Sequence, residues 1–328
     1  MSTGFIIFIL ALGIGILVFI IIKKNALAKG EGASLQDKKG ILQAMRAAKA
    51  EIDKNPQNAE AHYLLGKAYL ADKREELAFR SYRSASRLGI SGKNIPETEF
   101  REVIAALYAK FNEPEEALKE YVLLIKQHPD NPENYFRAGK IFAARNRPDL
   151  AEQYLRKAVS LNPKGENYHY ELGLFYYNIK KMKEAVGEFE SALKIDPQDN
   201  KSLLFLGKTL KDVKDFTGAI PHLEKASRDQ EYKLRSLVEL GYCYMSLKMT
   251  EKAVQELERA VAVIDKDADP DSLYARYFLA MCYEKNREIV KALAQWDKIY
   301  AVKKNFRDVG EKLTQYIEHR TGSENNSK

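Results

Sequence analysis

The sequence is poor in the residues that carry most catalytic and metal chemistry. Its 328 positions hold two cysteines, Cys243 and Cys282, too far apart for a CxxC site and too few for a disulfide framework. Nothing therefore calls for an oxidising compartment. The five histidines (His62, His128, His169, His222, His319) are scattered, without an HExxH pair or an acidic partner at ligand spacing. Surface or packing roles are expected of them, and no metal site. No Walker loop, GxSxG elbow or paired-carboxylate motif is present, so neither an enzyme nor a bound cofactor is expected. Long blocks of one charge sign are missing too. Lys and Arg total 53 against 46 Asp and Glu, and the signs interleave along nearly the whole chain. That is a solvated helical surface laced with ion pairs, not a stripe that tracks phosphates, so nucleic acid is not an expected partner despite the net charge of +7.

Charge is absent altogether from residues 4–22, GFIIFILALGIGILVFIII. As a helix this run is about 28 Å long, close to the hydrocarbon thickness of a bilayer. A cleaved signal peptide is the competing reading, since Ala26-Leu27-Ala28 has the A-x-A form. Against it, no Lys or Arg precedes the run, and the run exceeds the usual apolar core of a signal. Residues 1–22 are thus expected to form one transmembrane helix that contacts the lipid bilayer. Lys23, Lys24 and Lys29 follow it at once, and the positive-inside rule then places the rest of the chain in the cytoplasm, at the cytoplasmic membrane, with a periplasmic or extracytoplasmic placement as the alternative. Residues 23–34 read as a basic, Gly-containing stalk, and Ser34 with Asp37 as a helix start.

What fills the remainder is a repeat. A small residue following an apolar one recurs at Gly66, Ala105, Gly139, Gly173, Gly207, Gly241 and Ala280, at a 34-residue step between Ala105 and Gly241 and a 39-residue step at either end. Three residues on comes Tyr69, Tyr108, Phe142, Tyr176, Leu210, Tyr244 or Tyr283. Twelve on, an alanine stands in every unit: Ala78, Ala117, Ala151, Ala185, Ala219, Ala253 and Ala292. Four further is Tyr82, Tyr121, Leu155, Phe189, Leu223, Leu257 or Trp296, and Pro129, Pro163 and Pro197 close three units.

This resembles the tetratricopeptide repeat, W-x2-L-G-x2-Y, then A-x3-F, then P. The opening Trp position departs from it, holding His62, Arg101, Tyr135, His169, Leu203, Leu237 and Arg276. The resemblance implies an all-α, right-handed solenoid of about seven helix-turn-helix units over residues 59–306, starting near 59, 98, 132, 166, 200, 234 and 273. In each unit the small residue of helix A should let helix B approach, with the recurrent alanine meeting it, and the rings should fill the gap between units. Pro114 and Pro148 fit a first helical turn, whereas Pro221 lies about a turn in, where distortion is expected. Residues 35–58, with Ala44 and Ala48, read as an N-terminal half unit. Residues 307–320 read as a C-terminal capping helix with Val309, Leu313 and Ile317 in its stripe, and 321–328 as a disordered tail. Cys243 and Cys282 occupy one position in consecutive units and are expected to be packing residues.

Members of the family bind ligands along the concave face lined by the A helices. By helical spacing, residues three before, one after and four after the small position should project there. The candidate partner-binding groove is then Tyr63, Lys67, Phe136, Lys140, Tyr170, Leu174, Tyr177, Lys208, Lys211, Tyr242, Met245, Tyr277 and Met281. Rings with regularly placed lysines suit an extended or helical protein segment bearing apolar and acidic groups. The two-carboxylate clamp of chaperone-binding members needs Lys and Asn where Tyr63 and Lys67 stand, so chaperone tails are not expected. The layout is similar to that of bacterial membrane-anchored repeat proteins, which implies an adaptor or scaffold in envelope or membrane-complex assembly. The alternative is a structural subunit of a large envelope machine, such as a secretion or flagellar apparatus. One anchored adaptor family that regulates lipopolysaccharide also ends in a zinc module with CxxC pairs, which this chain does not have.

Overall fold

The structure, a computed structural model, describes residues 37–91 and 93–316. The expected span at 4–22, the stalk at 23–34 and the tail at 321–328 lie outside these residues. Among the described residues no helix is long and apolar enough to cross a membrane.

The described chain is helical throughout, with no strand. Helix α1 (Lys38–Lys54) is followed by seven antiparallel pairs. They are α2 (Ala59–Ala71) with α3 (Glu75–Arg87), α4 (Glu97–Lys110) with α5 (Pro114–Gln127), and α6 (Pro132–Ala144) with α7 (Pro148–Leu161). Next come α8 (Glu166–Asn178) with α9 (Met182–Ile195), α10 (Asn200–Asp212) with α11 (Phe216–Ala226), α12 (Lys233–Ser246) with α13 (Thr250–Ala262), and α14 (Pro270–Lys285) with α15 (Ile289–Val302). A last helix, α16, runs over residues 309–316. The chain divides into two compact units, Met1–Asn162 and Pro163–Lys328. The 39-residue steps are absorbed by the loops before α4 and α14.

Seven hairpin turns share one geometry. The residue seven after the small position (Lys73, Asn112, Asn146, Lys180, Lys214, Lys248, Arg287) has φ between 54° and 68°. The next amide donates to the carbonyl of the residue three after the small position, as in Arg74 to Tyr69 at 2.8 Å and Asp215 to Leu210 at 2.9 Å. This is a left-handed helix cap that satisfies an orphan carbonyl and reverses the chain in few residues. Pro114 and Pro148 open their helices, where no amide is needed. Pro221 lies inside α11, yet the helix runs on through it to Ala226, with one backbone donor fewer.

The recurrent alanines are fully buried in all seven pairs, and the bulky residues four further on are exposed by no more than 4%. The small position has a nearer partner than the alanine. A Cβ added to Gly66 would lie 2.6 Å from the Tyr82 ring, one on Gly173 2.8 Å from Phe189, and one on Gly241 2.4 Å from the Leu257 side chain. Glycine therefore makes room first for the bulky residue sixteen positions on, and at Gly207 the Ala219 carbonyl follows at 3.3 Å. The alanine lets the helix pair close elsewhere along the same crossing.

The ends are covered. Asp37 caps α1, its carboxylate accepting from the Gly40 amide at 2.6 Å, and Ile41, Met45 and Ala48 bury against the first unit's core. At the other end, Phe306 and Val309 are buried in the second unit's core, with Leu313 packed against it; Ile317 lies outside the described residues. Such terminal helices cover apolar faces that have no further repeat to meet.

Candidate functional site

The A helices of each unit present the face on which the groove residues were placed. In the first unit these are α2, α4 and α6; in the second, α8, α10, α12 and α14.

In the first unit the expectation fails for the aromatic members. Tyr63 is 2% exposed and Phe136 1%, so neither offers a side chain to a partner. Tyr63 is wedged between Tyr82, at 5.8 Å, and Phe100, at 6.0 Å. The position three before the small residue points at the following A helix, and a ring there has its area covered by the next repeat. The Tyr63 hydroxyl donates to Glu99 at 3.3 Å, and burial with that carboxylate beside it pushes its pKa well up. Lys67 pairs with the same Glu99 at 3.2 Å and lies over the Tyr63 ring. Lys140 lies over the Phe136 ring, 5.3 Å from its centroid.

The second unit is organised by a ladder of polar contacts. The Tyr177 hydroxyl donates to Asp212 at 2.7 Å. Lys211 lies 3.2 Å from Asp212 and 2.7 Å from Glu239, and Lys208 lies 3.7 Å from Glu239. Burial works against the Lys211 charge, but Glu239 and Asp212 outweigh it and hold its pKa above the usual lysine value. The two lysines expected to await acidic ligands are thus already paired, both with Glu239 of the next A helix and Lys211 also with Asp212 of its own. Tyr277 is also turned inward, 7% exposed, with its hydroxyl donating to Asp308 at 2.8 Å. Tyr170 packs against Phe189 and Phe205, and burial raises its pKa strongly.

What does reach solvent is apolar. Tyr242 is 38% exposed and Met281 36%, while Leu174, Tyr177 and Met245 are half-buried. The Tyr242 ring lies 5.4 Å from Phe278, which lies 5.7 Å from Tyr274. Phe205, half-buried, stands 6.0 Å from Tyr177. Arg307 stacks 5.1 Å from the Tyr274 ring. Phe205, Phe278 and Tyr274 were missed because the positions two and six before the small residue were not counted as facing outward. Two aromatics recurring at the same offset, Phe205 and Phe278, were the available signal. Among the described residues no group of His, Cys, Asp and Glu could hold a metal ion. Chemically, this face offers rings and a thioether beside internal ion pairs, a surface suited to packing.

Antiparallel helical hairpins with a small-to-bulky contact at each crossing and a left-handed cap at each turn define a helical-repeat protein. The sequence matches profiles described as tetratricopeptide repeat at residues 32–92, 103–166, 137–200 and 234–267. Together these cover more than half of the chain, which belongs to the tetratricopeptide-repeat family. No curated protein matches it. Among solved structures, a chain of the Cut9–Hcn1 hetero-tetramer of the APC/C aligns with TM-score 0.53 and 15% identity, covering 84% of this chain and 52% of that one. This protein thus spans about half the length of that relative. The C-terminal part of a repeat-containing protein from Cytophaga hutchinsonii aligns with TM-score 0.51 and 18% identity over 91% of this chain and 99% of that one. YrrB, described as a TPR protein with an unusual peptide-binding site, aligns with TM-score 0.50 and 20% identity over 58% and 96%. At these identities the likeness is one of fold.

Proposed function

We propose that the protein is a non-catalytic, membrane-anchored scaffold that binds partner proteins on the A-helix face of its second unit, through Tyr242, Phe278 and Met281. One observation carries this reading: on a face whose lysines are paired internally, Tyr242 and Met281 remain open to solvent, with Phe278 half-buried beside them. The Tyr242 hydroxyl has no hydrogen-bond partner among the described residues and can serve one supplied by a ligand. The partner is then a helical or extended segment with apolar anchors, and acidic groups contribute little. The charge-free run at 4–22 holds the scaffold at the cytoplasmic membrane, with the repeats facing the cytoplasm, where it serves assembly of envelope or membrane complexes.

A photo-crosslinking residue placed at Tyr242 or Met281 in the membrane-bound protein should capture a partner, whereas one at Val290, exposed on α15, should not. Tyr242→Ala or Met281→Ala should weaken that partner at least tenfold, as loss of an anchor does, and Lys208→Ala should change it far less. Capture from Val290 alone would overturn the assignment of the face. Digestion of the repeats by protease added outside an intact cytoplasmic membrane would overturn the orientation.

A further inference from the structure

We propose that the exposed face of α1 is a docking surface for anionic lipid headgroups, which sets the N-terminal end of the first unit against the bilayer. The inference rests on the anchor at residues 4–22.

Lys38, Lys39, Leu42, Gln43, Arg46 and Lys49 are all exposed on α1, in a stripe beside the buried Ile41, Met45 and Ala48. At 100° per residue the four cations fall within about one third of the helix circumference, with Leu42 among them. Lys38, Lys39 and Arg46 have no carboxylate partner among the described residues, and Lys49 touches only the edge of the core, 5.8 Å from the Tyr69 ring centroid. The nearest acids on the helix are otherwise engaged or remote. Asp37 caps the backbone, Glu51 pairs with Lys54 at 2.8 Å, and Asp53 is at the far end. This contrasts with the groove lysines Lys67, Lys208 and Lys211, which pair with Glu99 or Glu239.

Chain length brings this face to a membrane. Between Ile22 and Lys38 lie about fifteen residues, which can reach no further than ~50 Å. The connecting sequence adds Lys23, Lys24 and Lys29 against Glu31. The helix is thus held at high effective concentration beside the leaflet surface, where even a shallow attraction is satisfied most of the time. Cations clustered near a span, with one apolar side chain to enter the interface, match anionic lipid rather than a neutral surface. Contacts of this kind would restrict the tilt of the first unit, so that partners meet it at a defined angle.

The test uses the full chain in vesicles of phosphatidylcholine alone or mixed with phosphatidylglycerol, with an environment-sensitive dye on Gln43→Cys. The expected result is a blue shift in the mixed vesicles only, reversed by high salt. Lys38→Gln, Lys39→Gln and Arg46→Gln should each lower the lipid-contacting population ratio about fivefold, with helicity unchanged because all three side chains are exposed. Flotation with the neutral vesicles reads the anchor separately. A chain that does not float loses the anchor, and the inference with it. A chain that floats but gives the same dye signal in both lipids overturns the inference alone. A dye shift produced by an acidic polypeptide, and not by the mixed vesicles, would assign the face to a protein and overturn it equally.

Discussion

The Lys211 ammonium lies 2.7 Å from the Glu239 carboxylate, on consecutive A helices, with side chains only 17% and 15% exposed. The pair ties α10 to α12 and holds Lys211 over the Tyr242 ring at 5.4 Å, so it fixes the ring offered to a partner. Glu239→Gln leaves a half-buried ammonium without its main counter-charge. We expect a loss of about 2 kcal/mol in urea unfolding of the full chain. The lysine pKa is raised in the folded protein, net of burial, so the stabilisation is fully present below the unfolded value of ~10.4 and is lost as pH rises through the folded one. The substitution should therefore flatten the alkaline limb of the stability profile. An unchanged limb would show that the pair contributes nothing.

Two substitutions should shift stability in opposite directions through backbone and packing. At Gly241 an added Cβ meets Cγ and Cδ2 of Leu257 at 2.4 and 2.5 Å, at the branch of the side chain rather than its tip. Gly241→Ala should cost about 2 kcal/mol as the α12–α13 crossing is forced apart. Lys214 has φ of 68°, a conformation that charges an L-residue strain and glycine none. Lys214→Gly should stabilise by roughly 0.5–1 kcal/mol. Paired thermal melts read both signs, and a stabilising Gly241→Ala would refute the close-approach account.

The repeat was legible because its rule is local: a small residue, a bulky one and an alanine at fixed offsets, recurring seven times over. The partner of the glycine was not legible, since the alanine twelve on and the bulky residue sixteen on lie on the same side of helix B. Only the interhelical geometry distinguishes Ala253 from Leu257 as the neighbour of Gly241. The groove was read less well for a similar reason. Spacing places Tyr63 and Tyr242 on related stripes, but whether a ring is covered depends on what the next A helix carries. Phe100 and Glu99 cover Tyr63, whereas Phe278 lies tilted beside Tyr242 and leaves it open. Lys214 and Lys248 gave no hint of a left-handed turn, although Asn112 and Asn146 at the equivalent position did.

Burial makes both thiols inert. Desolvation pushes Cys243 up to about 12, reinforced by Glu239, and Cys282 up to about 11. Because the thiolate is the reactive form, neither should react with an alkylating reagent near neutral pH while the chain is folded. Both should react once urea exposes them. Rapid labelling of the folded protein at either position would mean that α12 or α14 opens locally far more often than its packing implies.

His169 provides a test in the acid range. Its Nδ1 lies 2.7 Å from Glu188 on α9 and its Nε2 3.1 Å from the Pro163 carbonyl. Only the protonated ring donates at both nitrogens, so the folded state favours the imidazolium. The Glu188 hydrogen bond, with the Pro163 carbonyl and against burial, raises the pKa. A raised histidine contributes stability that is complete below the unfolded value of ~6.5 and disappears as pH rises through the folded value. His222 runs the other way, since burial lowers its pKa, and its contribution is lost as pH falls. A wild-type profile alone therefore sums two opposed effects. The difference between wild type and Glu188→Gln isolates the first, because His222 is common to both. That difference in melting temperature should be largest near about pH 5.5 and should shrink once pH passes the folded value of His169. A gap that stays constant with pH would mean that Glu188 acts by packing alone and that the imidazolium is not the form α8 and α9 hold.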